Sequence, residues 1–317
     1  MTIEILPLVA EDVSAVIALA QACLPAELMS PGKFTRYVLL DPGYACDGAL
    51  VAKAGNIVAG FVYATARNPP IDDNDATRGF VTTLFVDERF RRQGLGARLL
   101  AAAEASLRAR GRSMAMICPY GPSYFTPGID VNAYPAAVAL FRKQGYQEVY
   151  RPISMQVELP QLKEIDYIQQ KRRELEASGA KVQAYRPELT RLILDFASTE
   201  FGVDWHDVYR DTMLLINRGL VPPERILAVE CGGKVLGISH WDGERFGPIG
   251  VSSRERSRGI GQILMYDTLH QQRLHGHSVA WFLWSDDKTA RRLYDNAGFK
   301  EVRRFVVLRR PLTGPPT

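Results

Sequence analysis

The chain has 317 residues, 46% of them apolar and 23% charged, with a formal net charge of +4 and a pI near 8.8. That length suits two ordinary domains, and the mild charge argues against nucleic acid as a partner. No window approaches the roughly eighteen uninterrupted apolar residues of a membrane span, and the start M-T-I-E-I-L-P lacks the basic and apolar segments of a secretory leader. Cys23, Cys46, Cys118 and Cys231 lie far apart with no C-x-x-C, which favours reduced thiols in the cytoplasm over a disulfide framework or a zinc site. His270, His275 and His277 sit where a helix ends and its dipole attracts them, so no metal is expected.

In chain order, Ile3 to Leu8 alternates as a strand, and Glu11-Asp12 opens an amphipathic helix through Val13, Val16, Ile17 and Ala20. Ser30 to Leu40 reads as a second short helix, ended by Pro42-Gly43. The runs Ala49–Ala54 and Ile57–Tyr63 flank Gly55-Asn56 as a hairpin. Arg67 to Arg78 is a polar, proline-bearing loop. A buried strand, V-T-T-L-F-V from Val81, then runs through D-E-R-F into the turn Arg91 to Ala97 and a long alanine-rich helix ending at Gly111. In that turn Gly94 and Gly96 lack a Cβ, and the helix start presents unpaired amides at the positive dipole end, the elements of a pyrophosphate cradle. Arg91 and Arg92 add full charge. Ser113 to Cys118 is a further strand. The loop after it carries Tyr120, Tyr124 and Phe125, which suit an apolar pocket wall or a packed surface loop equally. Ala136 to Tyr150 closes the first half.

Glu158 to Ala180 has helical spacing and dense charge, as a linker helix would. Lys181 to Tyr185 then begins a second copy of the same pattern. Helix Glu188 to Phe201 follows, then a segment bearing Asp204, Trp205, His206, Asp207 and Tyr209 that suits either an acceptor amine or a docked aromatic face. Ile226 to Gly233 and Lys234 to Ser239 repeat the hairpin. Gly247 to Gly276 repeats the strand, turn and helix: Arg256-x-x-Gly259-x-Gly261 matches Arg91-x-x-Gly94-x-Gly96 in spacing, and Val86 and Val251 each stand five residues before the arginine. No third glycine of a dinucleotide fingerprint is present, since Leu99 stands there, and no G-x-x-x-x-G-K-[ST] occurs.

R-x-x-G-x-G between a strand and a helix, with A-R-R-L-Y-D-N-A-G-F from Ala290 to Phe299, resembles the Gcn5-related N-acetyltransferases (GNAT). The resemblance runs over nearly the whole chain as two tandem copies, an arrangement similar to that of mycothiol synthases. It implies an α/β (α+β) fold of two GNAT-like domains, each a mixed, mostly antiparallel sheet flanked by helices: 1–157, a linker helix 158–180, and 181–317. It further implies acetyl-CoA as co-substrate and acetyl transfer to a primary amine of a small molecule or peptide, by a cytoplasmic monomer or homodimer. The alternative is a non-catalytic acyl-CoA-binding regulatory or scaffold protein.

By the same resemblance, donor contacts fall on Leu84, Phe85 and Val86 with Arg91, Arg92, Gln93, Gly94, Leu95, Gly96 and Ala97 in the first copy. In the second they fall on Ile249, Gly250 and Val251 with Arg256, Ser257, Arg258, Gly259, Ile260, Gly261 and Gln262. The family's L-Y-x-x-x-G-F tyrosine, which protonates the leaving thiolate, corresponds to Tyr294. The matching place in the first copy, A-L-F-R-K-Q-G-Y, holds Phe141, which has no proton to give; Tyr120 and Tyr124 are possible substitutes. The second copy is therefore expected to be the active one. Glu200, Asp204, His206 and His240 remain open as bases.

Overall fold

The apolar runs that alternate or are wholly buried become strands, and the stripes at helical spacing cover them. In the computed structural model, which describes residues 2–285 and 291–312, the first sheet runs Ile3–Pro7, Ala49–Ala54, Ile57–Thr65, Arg78–Val86, Met114–Ile117. All pairs along it are antiparallel except Arg78–Val86 with Met114–Ile117. Helix Leu95–Ala109 buries Leu99, Leu100, Ala103 and Leu107 on one face of this sheet, against Val62, Val81 and Ile117. Helix Val13–Cys23 and the turns Pro31–Phe34 and Thr35–Leu39 cover the other with Val16, Ile17, Phe34 and Val38, packed on Phe61, Tyr63 and Phe85. The polar excursion holds a short helix, Asp73–Thr77, capped by Asp72, which accepts from Asp75 N–H at 2.7 Å.

The second sheet runs Ile153–Glu158, Val279–Ser285, Arg245–Val251, Lys234–Asp242, Ile226–Cys231, Lys181–Ala184, again with one parallel pair, between Arg245–Val251 and Val279–Ser285. Helix Ile260–Leu274 lies on one face, and Thr190–Phe201 with Val203–Asn217 on the other. Each half is thus a mixed, mostly antiparallel sheet between helices, as the sequence implies.

The chain divides into Met1–Pro152 with Arg303–Thr317, and Ile153–Val302. This differs from the sequence division at 157 and 181 in two ways. The end of the chain returns to the first unit: from Arg303 the strand Lys300–Pro311 pairs antiparallel with Met114–Ile117, Ile129–Asp130 and Gln147–Tyr150. In the second sheet the matching place beside Val279–Ser285 is taken by Ile153–Glu158, the strand that follows Gln147–Tyr150 in the chain. The expected linker helix is Asp166–Ala177 and lies within the second unit. Its Ile168 and Leu175, seven residues apart and so on one face, are buried with Ile263 and Leu264, while Arg172 forks onto Asp267 at 2.9 and 2.7 Å. Arg173, Glu174 and Glu176 lie on its solvated face.

Candidate active site

The first glycine turn has the backbone its sequence demands. Gly94 is left-handed (φ 80°) as the N-cap of helix Leu95–Ala109, preceded by Arg92 at φ 63°. The first helical bond is Arg98 N–H to Gly94 O at 3.1 Å, so the amides of Leu95, Gly96 and Ala97 precede it and point out of the helix end. A Cβ at Gly94 would meet nothing within 4 Å, so this side of the turn is open.

Upstream, the strand splays from its neighbour. Tyr63 pairs with Thr83 and Ala64 with Val81, which leaves Thr82 as the extra residue of a β-bulge. Parallel pairing with Met114–Ile117 stops at Val81–Ile117, and beyond it Leu84 to Val86 keep strand partners on one edge only. A cavity of about 860 Å³ occupies the opening. It is lined by Leu84, Phe85, Val86, Arg91, Arg92, Gly94, Leu95, Gly96 and Ala97, every first-copy residue singled out in the sequence except Gln93. Gln93 donates its amide to Arg89 O at 3.1 Å instead. Arg91 is a buttress as well as a charge: Nε donates to Val86 O at 2.9 Å, and the guanidinium reaches Cys23 Sγ at 3.6 Å. Burial raises the pKa of the Cys23 thiol despite that contact.

The far end of the cavity is built by residues that carry no motif. Tyr134, directly before the proline that opens helix Pro135–Lys143, lines it. Its hydroxyl accepts Ala26 N–H at 3.1 Å, and its own proton has no recorded acceptor among the described residues. Burial, with Glu27 nearby, pushes its pKa up to about 12, so it keeps that proton at neutral pH. Glu27, Thr82, Phe125 and Cys118 complete this end. Thr82 Oγ1 is buried without a hydrogen-bond partner. Cys118, wholly buried, has its thiol pKa raised to about 12 and is no nucleophile. Of the three loop aromatics only Phe125 lines the cavity; Tyr120 packs on Phe80, centroids 5.1 Å apart. Phe141, in the place of the family's tyrosine, packs against Tyr146.

The profile of the acetyltransferase (GNAT) family matches residues 16–146. Over the whole chain the structure is similar to three solved proteins. One is the GCN5-related glucosamine N-acetyltransferase region of a fungal multi-domain GH3 β-N-acetylglucosaminidase (TM-score 0.82, 17% identity, 98% of this chain and 38% of that one). Another is a GCN5-related N-acetyltransferase from Sphaerobacter thermophilus (0.73, 19%, 99% and 97%). The third is a tandem GNAT protein from the clavulanic acid biosynthesis pathway (0.65, 16%, 100% and 100%). The chain has the fold of a tandem GNAT protein, with the family's sequence signature in residues 16–146. The family profile stops within the first unit, and at these identities the GNAT character of the second rests on fold. No functionally curated protein matches the sequence.

The second glycine turn repeats the first in backbone: Ser257 has φ 67° and Gly259 φ 83°, and Ile263 N–H donates to Gly259 O at 3.0 Å. Its surroundings differ. A Cβ on Gly259 would stand 2.9 Å from Lys171 Cγ, so the aliphatic stem of that helix residue lies on the turn. Arg258 is engaged by Glu255 and reaches Ser178 Oγ at 3.5 Å. On the strand, Ile249, Gly250 and Val251 lie beyond the single parallel pair Arg245–Trp281, as the splay requires. A Cβ on Gly250 would fall 2.3 Å from the Phe201 ring, which stacks on Trp205 (centroids 4.1 Å); Gly250 stands in the repeat where the first copy has Phe85.

Tyr294 is buried in an aromatic cluster, with ring centroids 4.4 Å from Phe282 and 5.4 Å from Phe299. Of the open bases, Glu200 accepts Ser252 Oγ–H at 2.8 Å and Ser253 N–H at 3.0 Å, bonds that hold its carboxyl below the usual range. His240 bonds Thr212 Oγ1 at 2.9 Å and Gly247 O at 3.1 Å, and burial lowers its pKa to about 4. His206 Nδ1 lies 3.1 Å from Asp207 Oδ1. Among the described residues no cluster of His, Cys, Asp and Glu is arranged to hold a metal, and no helix is long and apolar enough to cross a membrane.

Proposed function

We propose that this GNAT protein transfers an acetyl group from acetyl-CoA to a primary amine of a small molecule or peptide, and that the first copy performs the reaction. The observation that carries the reading is the contrast between the turns: the same backbone borders a cavity of about 860 Å³ at Gly94 and lies under Lys171 at Gly259. In this account the amides of Leu95 to Ala97 and the Arg92 guanidinium bind the donor pyrophosphate, and the free edge of Leu84 to Val86 pairs with the amides of the pantetheine arm. Acetyl-CoA supplies the activated thioester. Tyr134 supplies the proton that the departing sulfur needs, in place of the hydroxyl missing at Phe141. Tyr294 packs the second core.

The test is Tyr134→Phe beside Tyr294→Phe, assayed as thiol release from acetyl-CoA with an amine acceptor. Loss of kcat in the first alone supports the assignment. Loss in the second alone returns catalysis to the second copy.

A further inference from the structure

Within the first cavity one wall is held by a residue from the far end of the chain. Arg303 forks onto both carboxylate oxygens of Glu27, Nη1 to Oε2 at 3.3 Å and Nη2 to Oε1 closer still, and its Nε donates to Asp130 Oδ2 at 2.8 Å. Glu27 is buried, yet it lines the cavity. Asp130 in turn accepts Asn132 and Ala133 N–H at 2.9 and 3.0 Å, which fixes the loop that presents Tyr134. Lys33, the other cation nearby, donates Nζ to the main-chain oxygen of Glu27, not to the carboxylate, and sits 5.0 Å from the centre of the Phe125 ring.

We infer that Glu27 is the carboxylate that receives the acceptor's cationic amine, and that Arg303 is the positioning residue that aims it. Each carboxylate oxygen has lone pairs beyond the one Arg303 occupies, so the group can accept an N–H from an ammonium while staying clamped. Glu27 and Asp130 share the Arg303 guanidinium, while Lys33 Nζ is turned to the main-chain oxygen, so a ligand N–H competes with no lysine for the Glu27 carboxylate oxygens. Thr82, whose buried hydroxyl has no hydrogen-bond partner, is a further lining residue of this cavity. The acceptor class is then a small primary amine that arrives as a cation, not an anionic one, and gives up one proton to solvent before its lone pair attacks the thioester carbonyl. Arg303 also makes the first unit's site depend on the last strand of the chain. The inference rests on the function proposed above.

The full-length protein is assayed for thiol release from acetyl-CoA with tyramine, agmatine, glucosamine and lysine methyl ester as probes, and for acetyl-CoA affinity by calorimetry. Glu27→Gln, which keeps the shape, is expected to raise the amine KM at least tenfold and leave acetyl-CoA affinity within twofold. Arg303→Gln should do the same, and Arg303→Lys should recover part of the loss; if the glutamine variant does not fold, the lysine variant decides. Wild-type amine KM in both Glu27→Gln and Arg303→Lys overturns the inference, as does a wild-type enzyme that binds acetyl-CoA but is accelerated by none of the four amines. A wild-type protein that does not bind acetyl-CoA sinks the functional reading itself, and this inference with it.

Discussion

Ending the chain at Val302 removes a strand from the first unit, although that unit's other residues all lie before 153. The deleted segment includes Phe305, Val306, Val307 and Leu308, all buried to 1% exposure or less, and Leu312 at 4%. At roughly 1.5–3 kcal/mol for each fully buried apolar side chain, their loss amounts to about 8–15 kcal/mol as an upper estimate. Ladder bonds to Met114–Ile117 and Gln147–Tyr150 are lost as well. That matches the whole stability of an ordinary domain, about 5–15 kcal/mol, so the first unit should unfold in the shortened chain. Hydrogen exchange followed by mass spectrometry reads this directly. Amides in Met114–Ile117 and Leu95–Ala109 should lose protection, those in Ile226–Cys231 and Ile260–Leu274 should keep most of theirs, and acetyl-CoA binding should disappear. Full protection of Met114–Ile117 in the shortened chain, with undiminished acetyl-CoA affinity, would refute the argument.

Three further outcomes are expected. Tyr134→Phe should lower kcat by about a hundredfold while acetyl-CoA affinity holds, and Tyr294→Phe should change kcat less than twofold, both read by steady-state thiol release. The buried His240, whose pKa is lowered to about 4, should make the second unit sensitive to acid. Below pH 6.5 the unfolded chain takes up a proton that the folded one refuses, so stability present at neutral pH is lost as pH falls towards 4, by about 3 kcal/mol. Urea unfolding followed on the second unit at pH 7, 5.5 and 4 should show that slope, and His240→Gln should flatten it. Replacing Gly96 with Phe should abolish donor binding, because even a Cβ there meets Leu140 Cδ2 at 3.1 Å; the same change at Gly261 should leave binding intact.

The fold and the first turn were legible because the features that specify them are local. Gly94 and Gly96 are needed by backbone conformation and close approach, and the strand before them is a run of buried apolar residues. The rest depends on contacts between residues distant in sequence. Nothing in R-R-F-V-V-L-R-R tells which sheet will take it, since a buried strand of that composition suits either copy equally. Lys171 covers Gly259 through the packing of Ile168 and Leu175, which reads in the sequence only as an amphipathic helix. Tyr134 stands before a proline at a helix start and carries no motif, so only the cavity it lines in the fold brings it forward, whereas Tyr294 is marked by its motif. Glu27 and Arg303 lie 276 positions apart, and no spacing rule joins them.

The central claim is that one donor site exists and that it lies at the first turn. Calorimetric titration of the intact protein with acetyl-CoA tests it, run on wild type, Gly96→Phe and Gly261→Phe. The expected stoichiometry is one for wild type and Gly261→Phe, with no binding for Gly96→Phe. A stoichiometry of two, or binding that survives at Gly96→Phe and vanishes at Gly261→Phe, would contradict it.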